Sequence, residues 1–430
     1  MRISVIPVIL LMTIMLAGGV SAADNSSNVT EDAIQQNSSH YSILIITGST
    51  SSTKAIVEGY KLAGRDGYRF NLSMFTNDEL LRNDPQIDMA ALEAGRKADV
   101  ILIQMISSPN TLTKVNPILN VTGARKIIAI GTGNTFKDNP RVGADNATVK
   151  YIWDQGGPEN FRRMMLLLLR DAGMQLKNEE NVTAIPAVKS FVYHPDAGEQ
   201  FTAWDRYYSW YVQSGHYRAG KPWVGIITFD TYYRGSDMRM HTAILESLER
   251  KGYNVILGFA ADTATKRNLI ENFFLDGNRT PRISGLITCM GFNLYSGDPL
   301  NSTAILTELD LPAIAAVYAS NLRAWNESIS GLSSEVYWQI ALPEIDGRIE
   351  PVMIGGGVEE TDPQTGLRYT YYVPIPDRIE RLTERLINWI KLRELPNAEK
   401  KIALIYYNIG GGRMVSVRVT STYQRASATY

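Results

Sequence analysis

The sequence predicts an α/β fold, with two or more Rossmann- or flavodoxin-like parallel-sheet units and an intervening helical segment. Three observations carry this reading. Short apolar runs such as Ser42–Thr47, 100–105 and Lys126–Ile130 have strand length without the alternation of a half-exposed strand, as buried parallel strands do. Stretches of helical period separate these runs, the pattern of βαβ units. The same alternation restarts after Lys221-Pro222, and 430 residues exceed what one core usually organises.

Taken in order, the first unit spans 41–140. Its opening strand ends at Gly48, a helix covers 53–63, a strand 68–75 and a helix 88–97, before the strands at 100–105 and 126–130. Residues 141–220 read as a helical connecting segment. Gly156-Gly157-Pro158-Glu159-Asn160 stops one helix and starts another, with proline at its first turn. The run 164–169 is apolar nearly all round, which marks a buried helix. The second unit, 221–398, begins with a strand at 223–228 and a helix at 241–251 that Gly252 caps. Strands at 254–257, 285–288 and 312–316 follow, then a helix at 378–392. Residues 399–408 read as the first strand of a further domain.

The two ends differ from this body. Met1-Arg2 and the apolar run 3–16, followed by Gly18-Gly19-Val20-Ser21-Ala22, read as a signal peptide over 1–23, cleaved near Ala22 or Ala23. An uncleaved anchor is the alternative, although the run is short for a span and contains Pro7. Residues 24–40 are a polar linker. Asn-x-Ser/Thr sequons stand at Asn25, Asn28, Asn37, Asn71, Asn120, Asn146, Asn181, Asn278, Asn301 and Asn326, which suggests an exported, glycosylated surface. The lone Cys289 excludes an intrachain disulfide and, in an apolar run, reads as a buried small hydrophobe. Lys and Arg total 43 against 44 acidic residues, so the basic excess of a nucleic-acid binder is missing.

Several motifs are weighed by their chemistry. Gly215 to Lys221 fits the first positions of a phosphate-binding loop, but Pro222 replaces the magnesium-binding hydroxyl and a strand, not a helix, follows. Gly131-Thr132-Gly133 could cradle an anion or simply turn the chain. His194 is the single candidate metal ligand, since Pro195 stiffens its loop and Asp196 could orient the imidazole; a satisfied structural histidine is the alternative. Aromatic residues crowd 201–233, including Trp204, Tyr207, Tyr211, Trp223 and Tyr232. They serve either as packing at a domain junction or as flat surfaces for a large ring ligand.

The segment 331–351 concentrates the remaining chemistry. Glu335 and Gln339 are four apart and share one face of an amphipathic helix; Trp338 and Leu342 share another. Pro343 reads as a stop, leaving Glu344 and Asp346 in a loop. Such carboxylates could take protons from a ligand's nitrogens or escort a divalent cation, or they could cap and solvate a helix end.

This segment resembles a signature of the large subunits of cobalt and magnesium chelatases. Gly156 to Asn160, Tyr193-His194-Pro195-Asp196, Tyr208 to Tyr211 and Lys221 to Ile226 are also similar to that family, so the resemblance runs over about 146–408. Where many relatives carry Tyr-Arg-Ser-His, this chain has Phe229-Asp230-Thr231-Tyr232. The resemblance implies an N-terminal portion of a large subunit, nearer the cobalt branch, that contributes to tetrapyrrole binding for metal insertion in corrinoid biosynthesis. It implies no cofactor held by this chain, ATP used by partner ATPase subunits, and divalent cobalt or magnesium as substrate. The tetrapyrrole-binding candidates are then Trp338, Gln339, Glu335, Glu344, Asp346 and Tyr232. A non-catalytic, exported binding protein for tetrapyrroles or cobalt is the alternative. Family members are far longer, and the tail 409–430 back-translates, two bases on, into a family-like continuation. A reading-frame change near Ile409 is therefore expected, leaving this chain alone inactive.

Overall fold

The computed structural model describes residues 41–403, apart from 105–108, 134, 137, 145, 178–179, 296 and 334. The signal and linker readings, three of the sequons, the tail, and residues 404–408 of the strand expected over 399–408 lie outside the described residues, and 399–403 form no strand. No described helix is long and apolar enough to cross a membrane.

Two sheets organise the chain, as expected of an α/β protein. The first has strands β1 (Ser42–Thr47), β2 (Asn71–Thr76), β3 (Val100–Gln104), β4 (Lys126–Ile130) and β5 (Val142–Ala144) in the order β2-β1-β3-β4-β5, all parallel. Both faces of β1 are covered, which is why Ile43 to Ile46 read as an unbroken apolar run. The helices α1 (Thr53–Arg65) and α2 (Pro158–Asp171) pack on one face, where Ile56, Phe161, Met165 and Leu168 join Ile43 and Ile45.

The second sheet has strands β6 (Ser190–Tyr193), β7 (Gln200–Phe201), β8 (Trp223–Phe229), β9 (Asn254–Ala260), β10 (Ile283–Cys289), β11 (Ala313–Ala319), β12 (Ile349–Thr361) and β13 (Arg368–Pro374). Their order is β13-β12-β11-β10-β8-β9-β6-β7, parallel through the middle and antiparallel at both edges. The helix α3 (Trp204–Gln213) packs on one side of it. On the other, α4 (Arg239–Arg250) and α6 (Pro376–Glu394) pack through Ile244, Leu248, Leu382 and Leu386.

One expectation is corrected. Residues 141–220 are not a separate helical segment: β5 and α2 complete the first unit, while β6, β7 and α3 belong to the second. The buried face of α2 is apolar because it covers the first sheet. The β12–β13 hairpin is an addition to the expected elements, and Gly355-Gly356-Gly357 lies within its first strand. There the strand passes so close to its neighbours that a Cβ on Gly355 would lie 2.2 Å from the Val373 carbonyl and one on Gly357 2.3 Å from that of Ser320.

This hairpin straps the units together. The Thr370 amide donates to Thr53 Oγ1 at 2.9 Å, Arg368 pairs with Glu79 at 2.9 Å, and Lys61 and Arg82 reach Asp362 and Glu359. Gly235 also approaches the first unit closely, since a Cβ there would lie 2.1 Å from the Ser51 carbonyl oxygen.

Candidate functional site: a cleft between the two sheets

The strands β1 and β3 of one sheet and β8 and β11 of the other point their carboxyl ends toward a shared cleft. Open α/β sheets characteristically place ligand sites there. The cleft encloses about 400 Å³. One wall is the loop Gly48-Ser49-Thr50-Ser51, which leaves β1 and leads into α1, with Gln104 beside it. The other wall is formed by Phe229, Thr231, Tyr232, Tyr318, Tyr372 and Trp338.

The aromatic wall is a packed set. Tyr318 meets Tyr372, Trp338 and Tyr232 edge-on, with ring centroids 5.3, 5.9 and 6.0 Å apart. Burial raises the Tyr232 and Tyr318 hydroxyls far above the ordinary phenol range, so both stay neutral and can donate. Beneath Tyr232 lies His241, whose ring centroid is 4.7 Å away. Its Nε2–H donates to Thr228 Oγ1 at 2.9 Å, and that hydroxyl donates to the Cys289 carbonyl at 3.1 Å. The His241 Nδ1 is buried without a partner among the described residues, and burial pushes this imidazole down to about 3. Cys289 is buried as expected, and burial raises its thiol, which keeps it unreactive.

The segment 331–351 forms one edge of this cleft, with a correction to its geometry. Its helix contains a π turn, Tyr337–Ala341, followed by the short α5 (Leu342–Ile345); Pro343 sits inside this run and does not stop it. The π turn leaves room for a residue without a backbone donor. Trp338 packs against Gly291, where a Cβ would lie 2.2 Å from the indole, and stacks on Phe292 with centroids 5.7 Å apart.

Of the six binding candidates, the structure brings Tyr232 and Trp338 together as cleft-lining groups. Gln339 and Glu335 lie behind them on one buried face. The Gln339 amide accepts from the Tyr318 N–H at 2.9 Å and donates to the Tyr318 carbonyl at 2.7 Å, acting as a strand substitute beside the end of β11. Glu335 accepts from the Ser320 amide at 3.0 Å. Burial works to raise its carboxyl, but these backbone donors carry it below the usual range. Both side chains therefore position the cleft edge without facing a ligand.

The last two candidates lie away from the cleft. Asp346 is buried in an ion pair with the fully buried Arg348 at 2.9 Å and accepts from the Leu294 amide at 2.7 Å. Arg348 also donates to the Met290 and Phe292 carbonyls, so the pair latches the loop after β10. Glu344 is exposed on α5.

His194 is at the opposite, amino-terminal end of the second sheet. Its Nε2 lies 3.3 Å from Glu249 Oε1, and its Nδ1 accepts from the Asp196 amide at 3.1 Å. The Asp196 carboxylate orients a different imidazole, that of His216, at 3.1 Å. The aromatic run 201–233 divides between the ends. Phe201, Tyr207 and Tyr211 are core beneath α3, whereas Phe229 and Tyr232 reach the cleft.

Sequence reasoning missed Thr50, Ser51, Tyr318 and Tyr372. The run Gly48 to Thr53, a glycine and five hydroxyls between a strand and a helix, was a legible signal for the first two. The tyrosines lie on β11 and on the unread hairpin. A larger depression, ≈ 960 Å³, lies near the amino-terminal strand ends between Lys221, Lys251, Glu384 and Lys391. It has little aromatic surface to hold a ligand in place, so the cleft is the better-founded site.

The arrangement defines a two-unit α/β protein whose cleft lies between the carboxyl ends of two sheets. Residues 150–416, more than half of the chain, match the family described as CobN/Magnesium Chelatase, and the chain belongs to that family. It is 26% identical over 278 residues to the magnesium-chelatase subunit ChlH of Oryza sativa subsp. indica, covering 60% of this chain and 19% of that protein. It is 22% identical over 192 residues to the aerobic cobaltochelatase subunit CobN of Sinorhizobium sp, covering 44% of this chain and 15% of that one. Among solved structures it is similar to the catalytic subunit of cobaltochelatase from Mycobacterium tuberculosis. That likeness has a TM-score of 0.49 and 15% identity over 84% of this chain and 28% of the other. The chain thus spans less than a third of the length of each of these relatives.

Proposed function

We propose that this chain contributes the inter-sheet cleft of a chelatase-type large subunit, and that the cleft holds part of a tetrapyrrole during metal insertion. The observation that carries this reading is the edge made by the family-like segment 331–351. It places Trp338 beside Tyr318 and Tyr232, facing the hydroxyl-rich loop at Thr50 and Ser51. Aromatic faces suit a flat macrocycle, and hydroxyls suit its polar side arms. Divalent cobalt, with magnesium as the alternative, is the substrate metal, and partner ATPase subunits supply ATP hydrolysis. Corrinoid biosynthesis is the corresponding pathway.

The test is a titration of the full chain with a tetrapyrrole panel, followed by tryptophan quenching and Soret shifts. Saturable binding with a dissociation constant on the order of micromolar is expected, weakened about tenfold in Trp338→Ala. A folded protein that binds none of the panel overturns the reading.

An exported protein that captures tetrapyrroles or cobalt without turnover is the second reading. The apolar run 3–16 and the exposed sequon residues Asn71, Asn120, Asn181, Asn278, Asn301 and Asn326 favour it. ATP-dependent metal insertion on adding chelatase ATPase subunits supports the first reading; tight binding without insertion supports the second.

A further inference from the structure

We propose that His194, His216 and Glu249 form a site for one divalent transition ion of the zinc class, separate from the inter-sheet cleft. Their ligand atoms lie within 4.8 Å of one another, although the residues are scattered over 56 positions of the sequence (194 to 249, inclusive). His194 follows β6, His216 lies in the loop before β8, and Glu249 is in the last turn of α4. Two imidazoles and a carboxylate are a donor set that zinc and cobalt(II) favour.

The spacing suits an ion. Four ligands at about 2.0–2.1 Å around a tetrahedral centre stand roughly 3.3 Å apart. The His194 Nε2–Glu249 Oε1 and His216 Nδ1–Glu249 Oε2 separations are 3.3 and 3.4 Å, so each imidazole stands about one such edge from its own oxygen of the shared carboxylate. Both are long for charge-assisted hydrogen bonds, which run at about 2.7–2.9 Å. The Asp196 carboxylate sits 3.1 Å from His216 Nε2, the ring nitrogen facing away from Glu249. A carboxylate in that position fixes the tautomer that leaves Nδ1 free to bind a metal. Tyr211 donates to Glu249 Oε1 at 2.6 Å, holding the third group in place.

His194 requires one adjustment. Its Nδ1 now accepts from the Asp196 amide, which leaves its proton on Nε2. To bind a metal through Nε2, the ring must carry that proton on Nδ1 instead, and the Asp196 peptide must turn away. That peptide is in the surface turn after Pro195, and the Asp196 side chain is 65% exposed, so the amide that is released can turn to solvent. The ion would tie β6, the loop before β8 and α4 together, in a chain whose lone cysteine allows no disulfide among them.

Trp210 provides the readout, with ring centroids 4.9 Å from His194 and 5.5 Å from His216. Chelator-treated full chain is titrated with zinc by calorimetry. A parallel titration with cobalt(II) follows its visible bands and the quenching of tryptophan emission. One ion per chain is expected, with a rise in Tm at saturating zinc. Affinity should fall at least tenfold in His216→Gln and in Glu249→Gln, each checked for its fold by circular dichroism, and about tenfold in Asp196→Asn. No saturable one-to-one binding by the folded protein overturns the proposal. So does unchanged affinity in both His216→Gln and Glu249→Gln, which marks adventitious binding by surface carboxylates.

Discussion

The two ends of the eight-stranded sheet use polar residues in opposite ways. At the carboxyl end, Glu335, Gln339 and Asp346 are committed to the Ser320 amide, the Tyr318 peptide groups, and Arg348 with the Leu294 amide. What remains to face a ligand is aromatic or hydroxylic. At the amino end, His194, His216, Glu249 and Asp196 face one another across loops, and their partners are mostly each other. One end is thus built to recognise shape and the other charge. A buried charge without a partner is costly, so a cleft for a flat ring is best walled by groups that stay neutral.

Breaking the carboxyl end at its buried ion pair should give the largest effect. Arg348→Met leaves the Asp346 carboxylate unpaired and should cost about 3–5 kcal/mol in urea unfolding. Asp346→Leu combined with Arg348→Met should recover only part of that loss: it removes the unpaired charge, but the Leu294 amide and the Met290 and Phe292 carbonyls lose their partners.

Acid should separate the two ends next. His241 is depressed in the folded state to about 3, so its stabilising contribution is present above its unfolded value of 6.5 and is lost as pH falls through that window. The loss should reach about 3 kcal/mol at pH 4, and His241→Gln should flatten the slope between those pH values. At the other end, burial works to raise the Glu249 carboxyl, but hydrogen bonds from His194 and Tyr211 carry it below its ordinary value. Its contribution is present above 4.5, the unfolded value, and is lost only below it. Stability measured at half-unit steps should therefore decline first through the cleft end.

Gln339→Leu should cost about 2 kcal/mol by orphaning both peptide groups of Tyr318, read by thermal or urea unfolding. The smallest effect belongs to Glu344→Gln. The side chain is exposed, so stability should change by less than about 0.5 kcal/mol and tetrapyrrole affinity should not change. A large loss of affinity there would return Glu344 to the site.

The strands were legible because parallel strands buried on both faces must be apolar throughout, as β1, β3 and β4 are. The β12–β13 hairpin was not, since its glycines answer to backbone approach from Val373 and Ser320, which local sequence does not encode. The shared buried face of Glu335 and Gln339 was visible in their spacing, but what they bond to was not, because Ser320 and Tyr318 lie on another element. His216 and Glu249 escaped for the same reason. Ligand spacing in sequence reveals sites built on one turn or helix, and this cluster is assembled from three separate elements.

The π turn at 337–341 makes chain length itself a structural variable at the cleft. It holds one residue more than an α turn, so removing a single residue there would relax it to α geometry. Everything on its amino-terminal side would then rotate by about 100° relative to α5. The half-buried Trp338 and the buried Gln339 would exchange their surroundings for those of exposed neighbours such as Tyr337, without any change in the chemistry of the remaining side chains. A relative lacking that one residue would have to build this wall from different side chains, however similar the rest of its sequence.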